Sequence, residues 1–334
     1  MNALLRKAGR IACAAMTAQL LWPAAPAHAD PIEVTVPCDV PALIDAINVV
    51  NAAGLGVIRL TPQCDYVLTG PASVGVYGPN GLPIVTAQIS ILGSGATIRR
   101  AADAPRFRLL EVTESGAVRI ADLRLVGGDA GRQPGGGILV RGRLGLRKST
   151  LQDNTAAAGG ALANLGGSVT LVDSTVTGNQ AGIESAAPAQ AAAMPVGGVP
   201  GSRVRLSRRA AAAPAGYGGG VLNRGELHAV RTTIGGNRAR VGGGVANEQG
   251  GKATFRNTTI SGNLARTRGG GLYNAPGGYS RVLSTTISRN KAGDTGGGVF
   301  NGYVKGAVRL SGSTVTANKG DNCAPAGSVS RCTA

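Results

Sequence analysis

The chain has 334 residues, a formal net charge of +17, 54 glycines and only 3% aromatic residues. That length and composition suit one elongated domain and set aside a split into separate globules, because a solenoid buries a continuous narrow core however long it grows. The charge favours an acidic partner: uronate-rich polysaccharide, teichoic acid or another phosphate-rich surface, or extracellular DNA.

In chain order, residues 1–29 read as a secretory leader. Arg6, Lys7 and Arg10 form a basic start, Ile11 to Leu21 a short apolar core, and Ala27-His28-Ala29 a small-x-small cleavage site. The apolar core is too short for a membrane span. Cleavage after Ala29 discards Cys13 and Trp22, lowers the charge by three to +14, and leaves Cys38, Cys64, Cys323 and Cys332. An even count in an exported chain, one pair near each end, predicts the disulfides Cys38–Cys64 and Cys323–Cys332. The expected location is secreted, extracellular or at the cell surface, with the periplasm as the other oxidising choice, and no sorting motif, barrel or span is expected after the repeats.

The region 30–100 is read as an N-terminal cap and first irregular rungs. Asp39 is a good helix N-cap, Pro41 fits the first turn, and Leu43, Ile44, Ile47 and Val50 fall on one face before Gly54 stops the run. This helix is expected to cover the core of the first rung. The stretches VIRL, YVLT, ISIL, ATIRR, FRLLEV and VRIADLRLV then read as strands between Val57 and Val126.

From Gly135 onward the chain repeats one unit, as in GGGVANEQGGKATFRNTTISGN (Gly242 to Asn263) and GGGLYNAPGGYSRVLSTTISRN (Gly269 to Asn290). A period in the twenties means a solenoid. Counting back from the closing Asn, the third position is Leu151, Val176, Ile234, Ile260, Ile287 and Val315, and the eighth is Leu146, Leu171, Ala229, Phe255, Val282 and Leu310. Both are expected to face inward. Two Asn columns run through the unit: Asn164, Asn223, Asn247, Asn274 and Asn301 after the glycines, and Asn154, Asn179, Asn237, Asn263, Asn290 and Asn318 at the close. Asn tolerates left-handed backbone angles, and its amide can bond the identical amide one rung away. Each is therefore read as a turn former that also ties rungs together. Apolar/polar alternations broken by Gly have the period of strands, and rungs of about 25 residues holding two or three of them predict an all-β, right-handed parallel β-helix. Its rungs are assigned to residues 101–318 and a C-terminal cap with its disulfide to 319–334.

The pattern GG[GA][VL]xN followed by [ST]T[IV]xxN resembles the repeat of secreted bacterial right-handed β-helix proteins and, more loosely, that of the chlamydial polymorphic outer-membrane proteins. The opening VPCDVPALIDAINVVNAAGLGVIRLTPQCDYVLTG is similar to the helix, strand and Cys pair that begin the secreted group. The resemblance covers nearly the whole mature chain and implies the fold. It implies no single activity, since adhesins, binding rods and polysaccharide enzymes share that fold.

One rung is interrupted. Asn164 to Asn223 spans 59 residues where the next intervals are 24, 27 and 27, so about 35 residues are inserted, read as a long mobile loop at 182–216. The insert carries Arg203, Arg205, Arg208 and Arg209 against a single acid, Glu184, and is a candidate contact arm for an anionic polymer. On the rungs, Arg147 and Arg256 share one outward column, and Arg281 and Arg309 share another.

Catalytic chemistry is sparse. Lyases on this fold typically hold Ca²⁺ with clustered carboxylates, and hydrolases need two or three close together; here Asp173, Glu226, Glu248 and Asp294 occupy different columns. Asp122, Asp129 and Asp153 come closest to a group, with a turn role expected for Asp129, and Asp173 is expected to face Arg231. The enzyme alternative rests on His228, with Glu226 two residues earlier on the same side of a strand. No metal or cofactor is expected. Tyr273 and Phe300 lie one rung apart in a column expected to face outward, where rings could stack on each other or on a sugar, with Tyr279 and Tyr303 in loops nearby. A last outward column is invariant, Thr150, Thr175, Thr233, Thr259, Thr286 and Thr314, followed two residues later by Gln152, Thr177, Gly235, Ser261, Ser288 and Thr316. Such ranks of T-x-[TS] resemble ice-binding surfaces. The expectation overall is a monomeric, non-catalytic, adhesin-like binding rod for acidic polymers, with a polysaccharide lyase or hydrolase as the first alternative and an ice-binding-like surface as the second.

Overall fold

The computed structural model describes residues 31–182, 215–248, 250–302 and 307–332. The leader at 1–29, the insert's arginines and Tyr303 lie outside them. The described chain is a parallel β-solenoid of about nine turns. Its strands form a long 17-stranded sheet, an eight-stranded sheet and a five-stranded sheet, and each strand pairs in parallel with its equivalent one rung on. In one full rung, Lys252–Arg256 and Thr259–Ser261 lie in the long sheet, Leu264–Ala265 in the five-stranded sheet and Leu272–Asn274 in the eight-stranded sheet.

Alternation sets the core. Leu146, Leu171, Ala229, Phe255, Val282 and Leu310 stack inside, as do Leu151, Val176, Ile234, Ile260 and Ile287, while Val315 in the last rung is only partly buried. The helix runs Val40–Ala53, the Asp39 carboxylate accepts from the Ala42 N–H at 3.0 Å, and Gly54 ends it at φ 85°. Its Leu43, Ala46, Ile47 and Val50 belong to the same core cluster as the strands. Cys38–Cys64 and Cys323–Cys332 are both disulfides, with Cα separations of 5.6 and 6.2 Å. Closing 26 residues is worth roughly 3 kcal/mol in the chain-entropy picture. No described helix is long and apolar enough to cross a membrane.

Both Asn columns are ladders, buried except at the last member, Asn318, which is partly buried. In the closing column the Nδ2 of each Asn donates to the Oδ1 of the next, from Asn154 to Asn179 (3.0 Å) through Asn290 to Asn318 (3.0 Å), and the same Oδ1 also accepts the preceding rung's Asn backbone N–H. Asn164, Asn223, Asn247, Asn274 and Asn301 form the second file, at 2.8 to 3.3 Å. The turn role expected of the closing Asn belongs instead to the residue before it. Asp153, Gly178, Gly236, Gly262, Arg289 and Ala317 take φ of 54° to 69°, and Lys148, Asp173, Arg231, Asn257 and Ser284 make the earlier bend at 47° to 51°. The Asn amides are occupied by the ladder, so the left-handed step is taken one position earlier.

Two features have no counterpart in the sequence reading. Ser73–Gly75 and Gly78–Asn80 form an antiparallel hairpin, and a fully buried Arg108 holds it. The Arg108 guanidinium donates to Tyr77 O (2.6 Å), Asn80 Oδ1 (3.1 Å), Pro134 O (3.1 Å) and Glu111 Oε2 (3.2 Å), while the other Glu111 oxygen accepts from Arg141. Burial lowers the Arg108 pKa to about 10, against the pull of Glu111.

Candidate functional site

Because side chains alternate across a strand, each five-residue strand of the long sheet sends three outward and two inward. The register aligns the outward ones into three files across successive rungs. The middle file is Arg119, Gly145, Thr170, His228, Thr254, Arg281 and Arg309. One neighbour runs Ala117, Arg143, Ser168, Glu226, Lys252 and Tyr279. The other runs Ala121, Arg147, Val172, Val230, Arg256, Leu283 and Ser311. These files carry seven Arg or Lys side chains, one His and one carboxylate, so the face is strongly positive. The expected sharing of a column by Arg147 and Arg256, and by Arg281 and Arg309, is present. Arg119, Arg143 and Lys252 join them, and the alternations VRI and RLGLR were the available signal.

The early part of this face is a solvent-open groove of about 750 Å³. Gly145 lies at its floor, Arg119, Arg143 and Arg147 line it, Gln88, Ser90, Ser168 and Thr170 add neutral polar groups, and no carboxylate is among its lining residues. These three arginines are exposed and have no ion-pair or hydrogen-bond partner among the described residues. Elsewhere arginines are neutralised: Arg59 by Glu33, Arg99 by Asp65 (2.8 Å), Arg106 by Asp129 (3.3 Å) and Arg231 by Asp173 (2.6 Å). The last of these is the expected pair across the insert, and its hydrogen bond holds the Asp173 carboxyl below the usual range. Asp129 also accepts from the Gly131 N–H at 2.9 Å, the expected turn role.

Further along the face, the Arg281 and Arg309 guanidiniums lie 5.6 and 5.7 Å from the Tyr279 ring centroid, and Arg281 Nε donates to the Tyr279 hydroxyl at 3.2 Å. Tyr279 is a strand residue and not the loop residue expected from sequence. That hydrogen bond strengthens the hold of Arg281 on its proton. Between the two basic regions, Glu226 and His228 do face the same way. Glu226 is 3.6 Å from Lys252 Nζ in an exposed pair, and His228 stands between Thr170 and Thr254 with no partner among the described residues. Among the described residues no group of three or more His, Cys, Asp or Glu side chains could hold a metal ion.

Tyr273 and Phe300 do not form an exposed sugar platform. They stack as expected, 5.5 Å apart and 10° from parallel, but are 6% and 7% exposed. Although they point away from the main core, the segment before each glycine run folds back over them. Tyr217 meets Tyr273 edge-on at 5.8 Å, and the Arg268 guanidinium lies 5.0 Å from the Phe300 ring. With Leu139, Ala163, Leu222 and Ala246 they form a second buried cluster on the outer side of the eight-stranded sheet.

The Thr column is in register over six rungs, from Thr150 to Thr314. The buried hydroxyls just before it, such as Ser149, Thr232 and Thr258, bond to backbone carbonyls, whereas the outward Thr hydroxyls have no partner among the described residues.

The insert meets the solenoid at a narrow neck. A Cβ on Gly182 would collide with the Gly216 Cα, so the chain leaves and returns at one point. Arg203, Arg205, Arg208 and Arg209 lie outside the described residues. Comparison with protein-family models, with curated proteins and with solved structures gives no match to this chain.

Proposed function

We propose that this β-solenoid acts as a binding rod for acidic polymers, through the outward face of its long sheet and not through catalysis. The observation that carries this reading is the set of Arg119, Arg143 and Arg147, none in an ion-pair or hydrogen-bond contact among the described residues, around a groove with no lining carboxylate; the Asp173 carboxylate that Arg147 acts on is already hydrogen-bonded to Arg231. Leaving three guanidiniums without a contact partner while pairing others nearby favours a ligand that supplies the negative charge. An exported location, consistent with the two disulfides, would bring the face to acidic glycans. The test is co-sedimentation with polygalacturonate and with a neutral glucan across a salt series, followed by sizing of the polymer. Salt-sensitive binding to intact polygalacturonate alone is expected. The triple variant R119A/R143A/R147A should lose roughly 10- to 100-fold in affinity, at about 0.5–1 kcal/mol per exposed charge, with an unchanged Tm. Shortened chains would replace binding with hydrolysis or lysis, and Glu226 and His228 would then be the first residues to substitute.

A second reading has its own observation, the six-rung column of Thr hydroxyls without protein partners. Rungs about 4.8 Å apart make it a regular neutral lattice, the kind of surface that orders water at an ice face. Thermal hysteresis that disappears in Thr233→Lys and Thr259→Lys would support it, and no hysteresis in the wild type would dismiss it.

A further inference from the structure

The cations on the long face are not evenly spread. Arg119, Arg143 and Arg147 occupy two adjacent rungs; the next two rungs present Ser168, Thr170 and Val172, then Glu226, His228 and Val230, with no Arg or Lys. Lys252, Arg256, Arg281 and Arg309 follow on the next three rungs. The face is therefore two basic clusters separated by a hydrogen-bonding waist that carries no cation and whose one carboxylate, Glu226, is 3.6 Å from Lys252 Nζ at the edge of the second cluster. From the last rung of one cluster to the first of the other is three rung steps, about 14 Å, and the full file spans six steps, about 29 Å.

On this basis, and resting on the polyanion-binding reading above, we infer that the ligand is a single acidic polysaccharide chain lying along the solenoid axis and bridging both clusters. Direction follows from the charges. A chain laid parallel to the strands meets at most two of these cations, Arg143 with Arg147 or Lys252 with Arg256, whereas a chain along the middle file crosses the strands and meets Arg119, Arg281 and Arg309 with the flanking cations on either side. Width follows from the strands: three outward files cover four residue steps, about 13 Å, which suits one extended chain. Chemistry follows from the waist. The Thr170 hydroxyl and the His228 imidazole, with the Thr254 hydroxyl at the edge of the second cluster, have no partner among the described residues, and they offer hydrogen bonds to a chain that is hydroxyl-bearing between its charges. The Tyr279 ring at the far cluster is held by two guanidiniums and presents the one aromatic surface in these files. A sugar chain with carboxylate or sulfate groups meets all three conditions, and a nucleic acid, charged at every phosphate, leaves the waist without a match.

Two linked clusters bind a spanning ligand far more tightly than either binds alone, by an effective-concentration factor on the order of 10²-fold or more. The experiment titrates the full chain with size-defined, end-labelled oligogalacturonides at low salt. Oligomers shorter than the roughly 14 Å waist are expected to bind weakly, and affinity is expected to jump on the order of 10²-fold once the oligomer reaches both clusters. In K252A/R256A/R281A/R309A the jump should vanish while short-oligomer binding at the Arg143 cluster persists, and R256K/R281K/R309K, which keeps the charges, should retain the jump and exclude a folding defect. Affinity that climbs smoothly with length, equal weakening of short and long oligomers in K252A/R256A/R281A/R309A, or competition by a DNA duplex as strong as by the long oligomer would each overturn the bridging chain. Those results leave polyanion binding standing; failure of every oligomer to bind the wild type removes both.

Discussion

The outer faces of the long sheet and of the eight-stranded sheet are built by the same rungs and stabilised by the same register, yet they end in opposite states. On the long sheet, outward positions such as Arg143 and Arg147 remain in solvent. On the eight-stranded sheet, outward Leu222, Ala246, Tyr273 and Phe300 are covered by the residue that precedes each glycine run. Strand alternation decides which side of a sheet a residue takes; a second layer of chain decides whether that side is wet. The first glycine of each run allows the second layer, since a Cβ on Gly269 would lie 2.7 Å from the Tyr273 Cβ and one on Gly296 2.9 Å from the Phe300 Cβ.

The sharpest way to break this contrast is at the corner where the two sheets meet. Asn247 donates to Gly251 O (3.0 Å), Asn274 Oδ1 (2.9 Å) and Tyr279 O (3.1 Å), and accepts from Asn223 Nδ2 (2.8 Å). Asn247→Ala strands several of these buried groups at once and should cost on the order of 3–5 kcal/mol in urea unfolding, the largest effect expected here. Phe300→Ala removes a ring from the covered face and should cost about 3 kcal/mol, with polygalacturonate binding retained. Its counterpart on the open face, Arg143→Ala, should change stability by less than about 0.5 kcal/mol and be seen in binding alone.

A smaller effect tests the edge of the covered face. Burial raises the pKa of the Glu248 carboxyl, Arg224 at 4.0 Å partly opposes this, and its Oε1 has no hydrogen-bond partner among the described residues. A carboxyl raised on folding binds its proton more tightly in the native state. Stability therefore falls as pH rises through the unfolded pKa, and the full penalty is present above the folded pKa. Glu248→Gln should stabilise the protein near neutral pH by under about 1 kcal/mol, and the gain should vanish in acid, where both states are protonated; a pH series of Tm measurements follows it. The least effect is expected from deleting residues 183–215, because Gly182 and Gly216 already touch. Its Tm should match the wild type, and any change in polymer binding would then measure what Arg203, Arg205, Arg208 and Arg209 contribute.

Most of the interior was legible in the sequence because repetition writes each constraint several times. The inward columns, both Asn files, the two disulfides and the Asp173–Arg231 pair could each be counted from position alone. What escaped depends on contacts made once or between layers. Tyr273 and Phe300 looked outward because alternation says so, and only the fold-back of Tyr217 and Arg268 buries them. The Arg108–Glu111 pair was hidden in a strand-like run, since nothing in FRLLEV marks a buried guanidinium. The groove was half legible: Arg147 was found by its column, Arg119 lies before the repeat begins, where there is no frame to count from, and Arg143 has Ser168 and Glu226 at the equivalent positions of the next rungs, so no basic column marks it.

The two amide files run in one direction, each Nδ2 giving to the Oδ1 of the following rung, so the rod has chemically different ends. Asn318 passes its last donor to Asn322, and Asn301 gives to the Ser328 carbonyl, so the tail closes both files. At the other end the Asn164 Oδ1 is buried without a partner, because Val140 stands where an Asn would donate. A duplicated rung placed between existing ones inherits a donor from behind and an acceptor ahead in both files, leaving neither end disturbed. The array can thus lengthen from the middle by gene duplication, and each added rung would widen the spacing between whatever its faces hold.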